Sequence, residues 1–403
     1  MAAPYRRRPG RHPSIRQLEA FAMTFLDIHI VQSAPPSNLN RDESGSPKTA
    51  TYGGVLRARV SSQAWKRAVR DAFLNDPDLA KDGGLRTRQL PRVIGDAVTA
   101  RRPALGAVSD TIGEAATRAL FKKVKLAKNK TTTEYLLFLG HDQVERVAEA
   151  LVSANLEEVA HDPDLIRERI TGLDLHEFGV KGHAGAVALF GRMIADAPEL
   201  NVDAACQVAH AISTHKVVGD QFDYFTAVDD ESRRQDETGA GMIGTVEFNS
   251  ATLYRFATVS MRDLIANLDG EADRALDLAL AFAETFATAM PTGKQNTFAA
   301  HTRPDLIMLS VRSDRPVSLV GAFEEPVRAP EGGITPASVA QLVTYHSQQD
   351  QMYGTSPIIN VLAYPAWLAE RVRDDKHIEL PPAQPLKTAL DTVRAALNER
   401  LTA

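Results

Sequence analysis

Alternation of apolar and polar positions marks the first element. In Phe25 to Gln32 (FLDIHIVQ), Leu26, Ile28 and Ile30 alternate with Asp27 and His29, which predicts a half-buried strand. The following SAPPSNLNRDESGSPKTATYGG is too rich in Pro, Asn, Ser and Gly for regular structure and reads as a loop. VLRARV is strand-like, and SSQAWKRAVRDAF is an amphipathic helix with a serine as its N-cap. Trp65, Ala68, Val69, Ala72 and Phe73 recur at helical spacing and form a buried stripe. Gln63, Lys66, Arg67 and Arg70 recur at the same spacing on another face.

The pattern then turns mostly helical from Arg86 to Ala197, with TIGEAATRALFKKVKLAK, DQVERVAEALVSA and HAGAVALFGRMIADA as the clearest helices. AACQVAHAISTHKVV reads as a strand and GTVEFNSATLYRFATVSM contains another. The polar, glycine-rich DDESRRQDETGAGMIG between them suits the tip of a long hairpin. ADRALDLALAFAETFATAM is a strongly periodic helix, and DLIMLSVRS is a last strand. This order is that of a split βαβ unit: an α+β fold with a ferredoxin-like (RRM-like) core and a helical insertion. There is no internal repeat.

Composition narrows the possible chemistry. The formal net charge is −5, which argues against a generic nucleic-acid coat. Yet Lys48, Arg57, Arg59, Lys66, Arg67 and Arg70 are interrupted by no acidic residue, so one face is suited to a polyanion. The alternative is a solvated amphipathic helix. A second cluster, Lys122, Lys123, Lys125, Lys128 and Lys130, is either a solvated helix end or a second nucleic-acid surface.

The single cysteine, Cys206, forbids an internal disulfide and fits a cytoplasmic protein. No cysteine–histidine grouping suggests zinc, and no apolar run is long enough for a membrane span. His176 and His183, like His210 and His215, lack the spacing of a helical metal pair and read as structural or surface residues. No phosphate-cradling loop or nucleophile elbow is present, so neither metal nor cofactor is expected. Asp42 is the one carboxylate of interest: an acid beside an RNA backbone can support cleavage, whereas a loop aspartate ordinarily does turn chemistry. Residues 1–22 are Arg- and Pro-rich without the apolar core of a secretory signal. They read as a disordered basic tail, as sequence ahead of a true start at Met23, or as an arm touching nucleic acid.

Several segments together resemble one family. HIVQSAPPSNLNRDESGSPKTATYGGVLRARVSSQAWKRAVRDAF, AHAISTHKVVGDQFDYFTAVDD, IGTVEFNSATLYRFA and PTGKQNTFAAHTRPDLIMLSV are similar to the CasC backbone subunits of type I-E CRISPR Cascade, in the Cas-seven family. The likeness runs from Leu26 to Glu325, fades beyond Ala329, and does not extend to the first 22 residues. It implies a hand-shaped protein: a ferredoxin-like palm (23–75 and 200–325), a thumb hairpin (217–247), helical fingers (76–199) and a C-terminal extension (326–403).

The resemblance further implies a non-catalytic protein that coats guide RNA (crRNA) as about six copies stacked head to tail. It would present the guide to target DNA alongside the other Cascade subunits. The family's RNA contacts fall on Asn40, Arg41, Lys48, Ser61, Gln63, Lys66, Arg67 and Arg70. Its apolar wedge, which handles a displaced nucleotide, falls on Met193, Phe225 and Ile243. By its own pattern Met193 is a core residue of a helix. Lys122, Lys123 and Lys125 are candidates for target-DNA contact. The thumb between Asp229 and Gly244 is longer than the family pattern and carries Arg233 and Arg234. Two alternatives remain: an RNA-cleaving backbone subunit using Asp42 and a divalent metal, and a monomeric RNA-recognition module with base-stacking aromatics on its sheet.

Overall fold

The computed structural model describes residues 23–194, 196–217, 221–226, 243–328 and 333–402. The chain begins with β1 (Phe25–Ser37), β2 (Thr49–Tyr52), β3 (Val55–Val60) and α1 (Ser62–Asn75). An insertion follows, with β4 (Gly84–Thr87), α2 (Leu90–Arg101), α3 (Ser109–Leu120), β5 (Leu137–Gly140), α4 (His141–Ser153), α5 (Pro163–Thr171), α6 (His176–Val180) and α7 (Gly185–Phe190). The chain then returns through β6 (Cys206–Val208), β7 (Ala211–Ser213), β8 (Gln221–Thr226) and β9 (Ile243–Ser260). Next come α8 (Met261–Asn267), α9 (Ala272–Thr288), α10 (Gln295–Phe298) and β10 (Leu306–Arg312). It closes with α11 (Ile334–Tyr353), β11 (Ile359–Ala363), α12 (Ala366–Lys376) and α13 (Leu386–Thr402).

The main sheet runs β11-β10-β1-β9-β7-β3-β2, with β6 and β8 also paired to β9, every pairing antiparallel. The long β9 is its spine: Ile28 of β1 lies between Ala257 and Leu309. On one face α1, α9 and α13 bury Leu26, Ile28, Ile30, Trp65, Val69, Phe282 and Val393 in a common core. The guanidinium of Arg255, fully buried, stacks 3.7 Å from the Trp65 ring centroid and 4.5 Å from that of Phe286. It donates to Gln32 Oε1 at 2.5 Å and to the Phe286 carbonyl. A cation held between two rings and two acceptors fixes α1 and α9 against β9.

The opposite face corrects the half-buried reading of β1. Asp27 and His29 are 0% and 2% exposed, because α11 and the turn at 319–323 cover them with Leu319, Phe323, Val339 and Leu342. Burial makes these polar groups find partners. Asp27 accepts from the Val317 N–H at 2.8 Å, and His29 Nδ1 shares a 2.9 Å hydrogen bond with the Tyr254 hydroxyl. Desolvation pushes the Asp27 carboxyl up to about 7 and the His29 imidazole down to about 3.

The insertion builds its own core from Leu90, Ile94, Ile112, Phe121, Leu139, Val147, Leu151, Ile166 and Ile170. Its helices are shorter than the periodicity predicts. α3 ends at Leu120, where Phe121 leaves the helical conformation (φ −128°, ψ 78°) and packs inward, so the lysine cluster lies beyond the helix. α7 ends at Phe190 because Gly191 adopts φ 74°, and a Cβ there would stand 2.7 Å from the Val202 carbonyl oxygen. Arg192 and Val202 then exchange two 2.8 Å backbone hydrogen bonds. Met193 therefore stands outside the helix and is 80% exposed, not a core residue. The strand expected over AACQVAHAISTHKVV is two short strands, β6 and β7, broken at Ala209 and His210. No helix among the described residues is long and apolar enough to cross a membrane.

Arg57 is the second buried cation. It donates to the carbonyls of Tyr52 (3.2 Å), Ser213 (3.0 Å), Phe323 (2.8 Å) and Glu324 (3.2 Å), tying β3, β7 and the 320–324 turn together. Replacing it by Leu orphans buried carbonyls, so Arg57→Leu is expected to cost about 3 kcal/mol in denaturant unfolding. The His29 shift makes a separate prediction. Between 6.5 and about 3 the unfolded imidazole binds a proton that the native one refuses, so this residue lowers stability as pH falls through that window. Asp27 acts oppositely, favouring the native state where its carboxyl is protonated. The stability-versus-pH curve of His29→Asn is therefore expected to be less steep on the acid side than that of the parent, whatever its absolute height. An equal slope would sink the assignment.

Candidate nucleic-acid interface

The loop between β1 and β2 is held in place by its own polar groups. Asp42 Oδ1 accepts from the Ser44 hydroxyl (2.7 Å), the Ser44 N–H (2.9 Å) and the Ser46 N–H (3.0 Å). These bonds, the hydroxyl first, hold its carboxyl below the usual aspartate range. Asn38 Nδ2 donates to the carbonyls of Gly45 and Glu247, each at 2.9 Å. Asn40 makes the connection to α1: its Oδ1 accepts from the Ser61 N–H at 2.9 Å, while its carbonyl accepts from the Lys48 N–H at 2.9 Å.

Ser61 is the N-cap of α1, its Oγ accepting from the Ala64 N–H at 3.3 Å. The Ser62 N–H is taken by His210 Nδ1 at 3.2 Å. Gln63 lies in this first turn, at the positive end of the helix dipole. Asn40 and Ser61 thus position the loop and the helix N-terminus against each other.

Two grooves flank α1. The first, about 830 Å³, is lined by Arg41, Lys48, Arg67 and Lys294, by the polar Asn40, Ser61 and Gln63, and by the carboxylates of Asp42, Glu43 and Asp71. The second, about 420 Å³, is lined by Gln63, Lys66, Arg70 and Met193, among others. Gln63 belongs to both, so the N-terminal half of α1 is the ridge between them. Arg67 is paired with Asp71 at 3.5 Å on an exposed surface, a pairing that costs little to exchange for another anion. Arg70 lies over the Phe190 ring at 5.4 Å, its pKa lowered by burial and then by Arg86. Arg57, counted in the basic run by sequence, is 0% exposed and takes no part.

Sequence reasoning missed Lys294. It has φ 52°, and Gly293 beside it approaches so closely that a Cβ would stand 2.2 Å from the Leu39 carbonyl oxygen. That close approach carries the Pro291–Lys294 turn into the first groove. The turn lies far along the chain from the basic run and has no periodicity, so only its Pro-Thr-Gly-Lys composition and its place in a family-like segment hinted at it.

The remaining predicted residues are more scattered. Phe225 and Ile243 lie on the β8–β9 hairpin, in backbone register with Gly244 and Thr226. Their side chains, and residues 227–242 with Arg233 and Arg234, lie outside the described residues. Lys123 pairs with Glu199 at 3.2 Å and Lys125 with Asp196 at 3.3 Å, which partly neutralises the second cluster. Lys122 lines a separate groove of about 440 Å³ with Arg118, Thr171 and His176. His183 is buried and pushed down to about 4, and His215 Nε2 accepts from the Thr252 N–H at 3.1 Å. Among the described residues no three His, Cys, Asp or Glu side chains are gathered as metal ligands. The sheet face on which an RNA-recognition module would stack bases is closed: Tyr254 and Phe256 are 2% and 8% exposed beneath the α11 layer.

The chain is similar to known structures over nearly its whole length. A chain of a solved structure titled "CRISPR RNA-guided surveillance complex, pre-nicking" is 30% identical with a TM-score of 0.75, over 93% of this chain and 100% of that one. A chain of another, titled "CRISPR RNA-guided surveillance complex", is 26% identical with a TM-score of 0.67, over 92% and 99%. No curated protein sequence matches. A family model described as CT1975-like protein matches residues 26–384, extending past the Glu325 boundary of the motif likeness through β11 and α12. The chain belongs to the family of CT1975-like proteins.

Proposed function

We propose that this protein is a guide-RNA-binding backbone subunit of a type I-E CRISPR surveillance complex. The observation that carries the reading is the pair of cationic grooves about α1, in a chain that is similar end to end to chains of CRISPR RNA-guided surveillance complexes. The strand order β10-β1-β9-β6/β7, with α1 and α9 on one face, supports the reading of this sheet as a ferredoxin-like palm. The motifs around SSQAWKRAVRDAF and FTAVDD support the type I-E assignment.

Lysine and arginine at the grooves bind phosphates through charge, which carries no base information. A protein that grips only the backbone can accept any guide and leave sequence reading to base pairing with target DNA. Copies joined head to tail along the RNA make heterologous contacts that propagate until other subunits or the RNA ends stop them. In this reading the protein acts without cleaving RNA, which is supported by the turn role of Asp42, whose Oδ1 takes three hydrogen bonds within its own loop. Met193 and the β8–β9 hairpin handle the displaced nucleotide, and Lys122 is the fingers lysine best placed for target DNA.

Purified with the other subunits, the protein should carry RNA of a defined, guide-like length; recovery without RNA would refute the reading. Incubating that assembly with complementary RNA and Mg²⁺ should leave the RNA intact, and Asp42-dependent cutting would overturn the non-catalytic assignment. Lys66→Ala and Lys294→Ala are each expected to reduce the salt dependence of RNA binding by about 0.7 per lost phosphate contact. Ser61 separates fold from binding. Ser61→Ala should cost about 1 kcal/mol of stability through the lost cap, whereas Ser61→Asp keeps a capping oxygen. Ser61→Asp should instead weaken RNA binding, since it sets a carboxylate in the first groove; thermal melts and filter binding distinguish the two.

A further inference from the structure

The second groove holds more cations than the family likeness assigns to it. Besides Lys66 and Arg70 it is lined by Arg86, Leu136, Phe138, Arg192 and Met193, with Asp203 as its one carboxylate. Arg86 lies on β4 of the insertion, exposed, and its cross-strand partner on β5 is Phe138, so both stand on the hairpin face turned to α1. Arg192 is 5% exposed and donates only to carbonyls, those of Leu200 (3.0 and 2.8 Å) and Gly179 (2.6 Å), while its Nη1 has no partner. None of Lys66, Arg70, Arg86 and Arg192 is ion-paired with a carboxylate among the described residues.

Four cations thus line one groove against a single carboxylate, Asp203, and Arg86 is close enough to disfavour the charge on Arg70, which Asp71 offsets only in part. Such repulsion is relieved by an anion in the groove. The other wall is apolar and open: Leu136 is 47% and Met193 80% exposed. Large exposed apolar side chains beside cations mark a binding surface, and this combination suits a strand with charged phosphates and planar bases. The volume, about 420 Å³, is within the roughly 300–1,000 Å³ that small ligands fill.

The geometry points to Arg86 as a phosphate-binding residue supplied by the insertion, with Leu136 as an apolar contact for the adjoining base. This rests on the guide-RNA reading and deepens it. The RNA passes between the α1 ridge and the β4–β5 hairpin, so its backbone is gripped from the palm and the fingers at once. Occupancy then ties two separate hydrophobic cores together across the groove.

The test uses the full chain and a fluorescein-labelled single-stranded RNA of mixed sequence, titrated by anisotropy across a salt series. Arg86→Gln should lower the salt slope by about 0.7, as Lys66→Ala does. Arg92→Gln, which removes an exposed fingers arginine paired with Asp96, should leave the slope unchanged. Hydrogen exchange of the Gly84–Thr87 and Leu137–Gly140 amides should slow on RNA addition, and less so in Leu136→Ala. An Arg86→Gln slope equal to the parent's, beside a reduced slope in Lys66→Ala, overturns this inference while sparing the guide-RNA reading. Protection confined to α1 and the Asn40–Lys48 loop does the same. A parent that binds the RNA without salt dependence overturns both.

Discussion

One hydrogen bond organises the cationic surface: the Ser61 N–H to Asn40 Oδ1, 2.9 Å long. It joins a loop that has no regular structure to the first turn of α1, which is itself locked to the sheet through Trp65 and the buried guanidinium of Arg255. A flexible loop bearing Arg41 and Lys48 would lose entropy on every phosphate contact it made. Anchored at Asn38, Asn40 and Asp42, the loop has already lost that freedom in folding. Preorganisation of this kind lets a modest number of cations grip a chain of phosphates.

A net charge of −5 is no obstacle to that role, because the grooves gather charge from distant segments. The loop after β1, the exposed face of α1, the Pro291–Lys294 turn and the β4 hairpin each contribute. Arg57 and Arg255 are cations of a different kind. Both are fully buried and serve carbonyls and aromatic rings, so they hold the frame on which the exposed cations sit. The one kind supplies charge at the surface and the other holds the geometry in which that charge is presented.

The layer formed by α11 and the 319–323 turn decides which face of the sheet is left exposed. In an open ferredoxin-like sheet the uncovered face is available for stacking bases. Here that face is filled by Leu319, Phe323, Val339 and Leu342, and β1 carries Asp27 and His29 into a dry interior. The grooves lie instead on the α1 side and at the seam with the insertion. The C-terminal segment, where motif likeness fades, is therefore part of the scaffold: β11 extends the sheet and α13 packs with α9.

The sequence by itself determined the local elements and the identity of the cationic helix. Period-two and period-3.6 patterns marked β1, α1, α4, α9 and β10 because each is set by which side chains must leave water. It overran where a single backbone position intervened, at Gly191 and Phe121, since periodicity carries no record of a positive φ or of a chain turning inward. It read β1 as half-buried because Asp27 and His29 look solvent-facing until a distant segment covers them. Tertiary structure alone decided that Arg57 is interior, that Met193 is exposed, that Lys294 joins the groove and that Arg86 faces Arg70. Those facts depend on contacts between segments up to several hundred residues apart, whose closure no local pattern encodes.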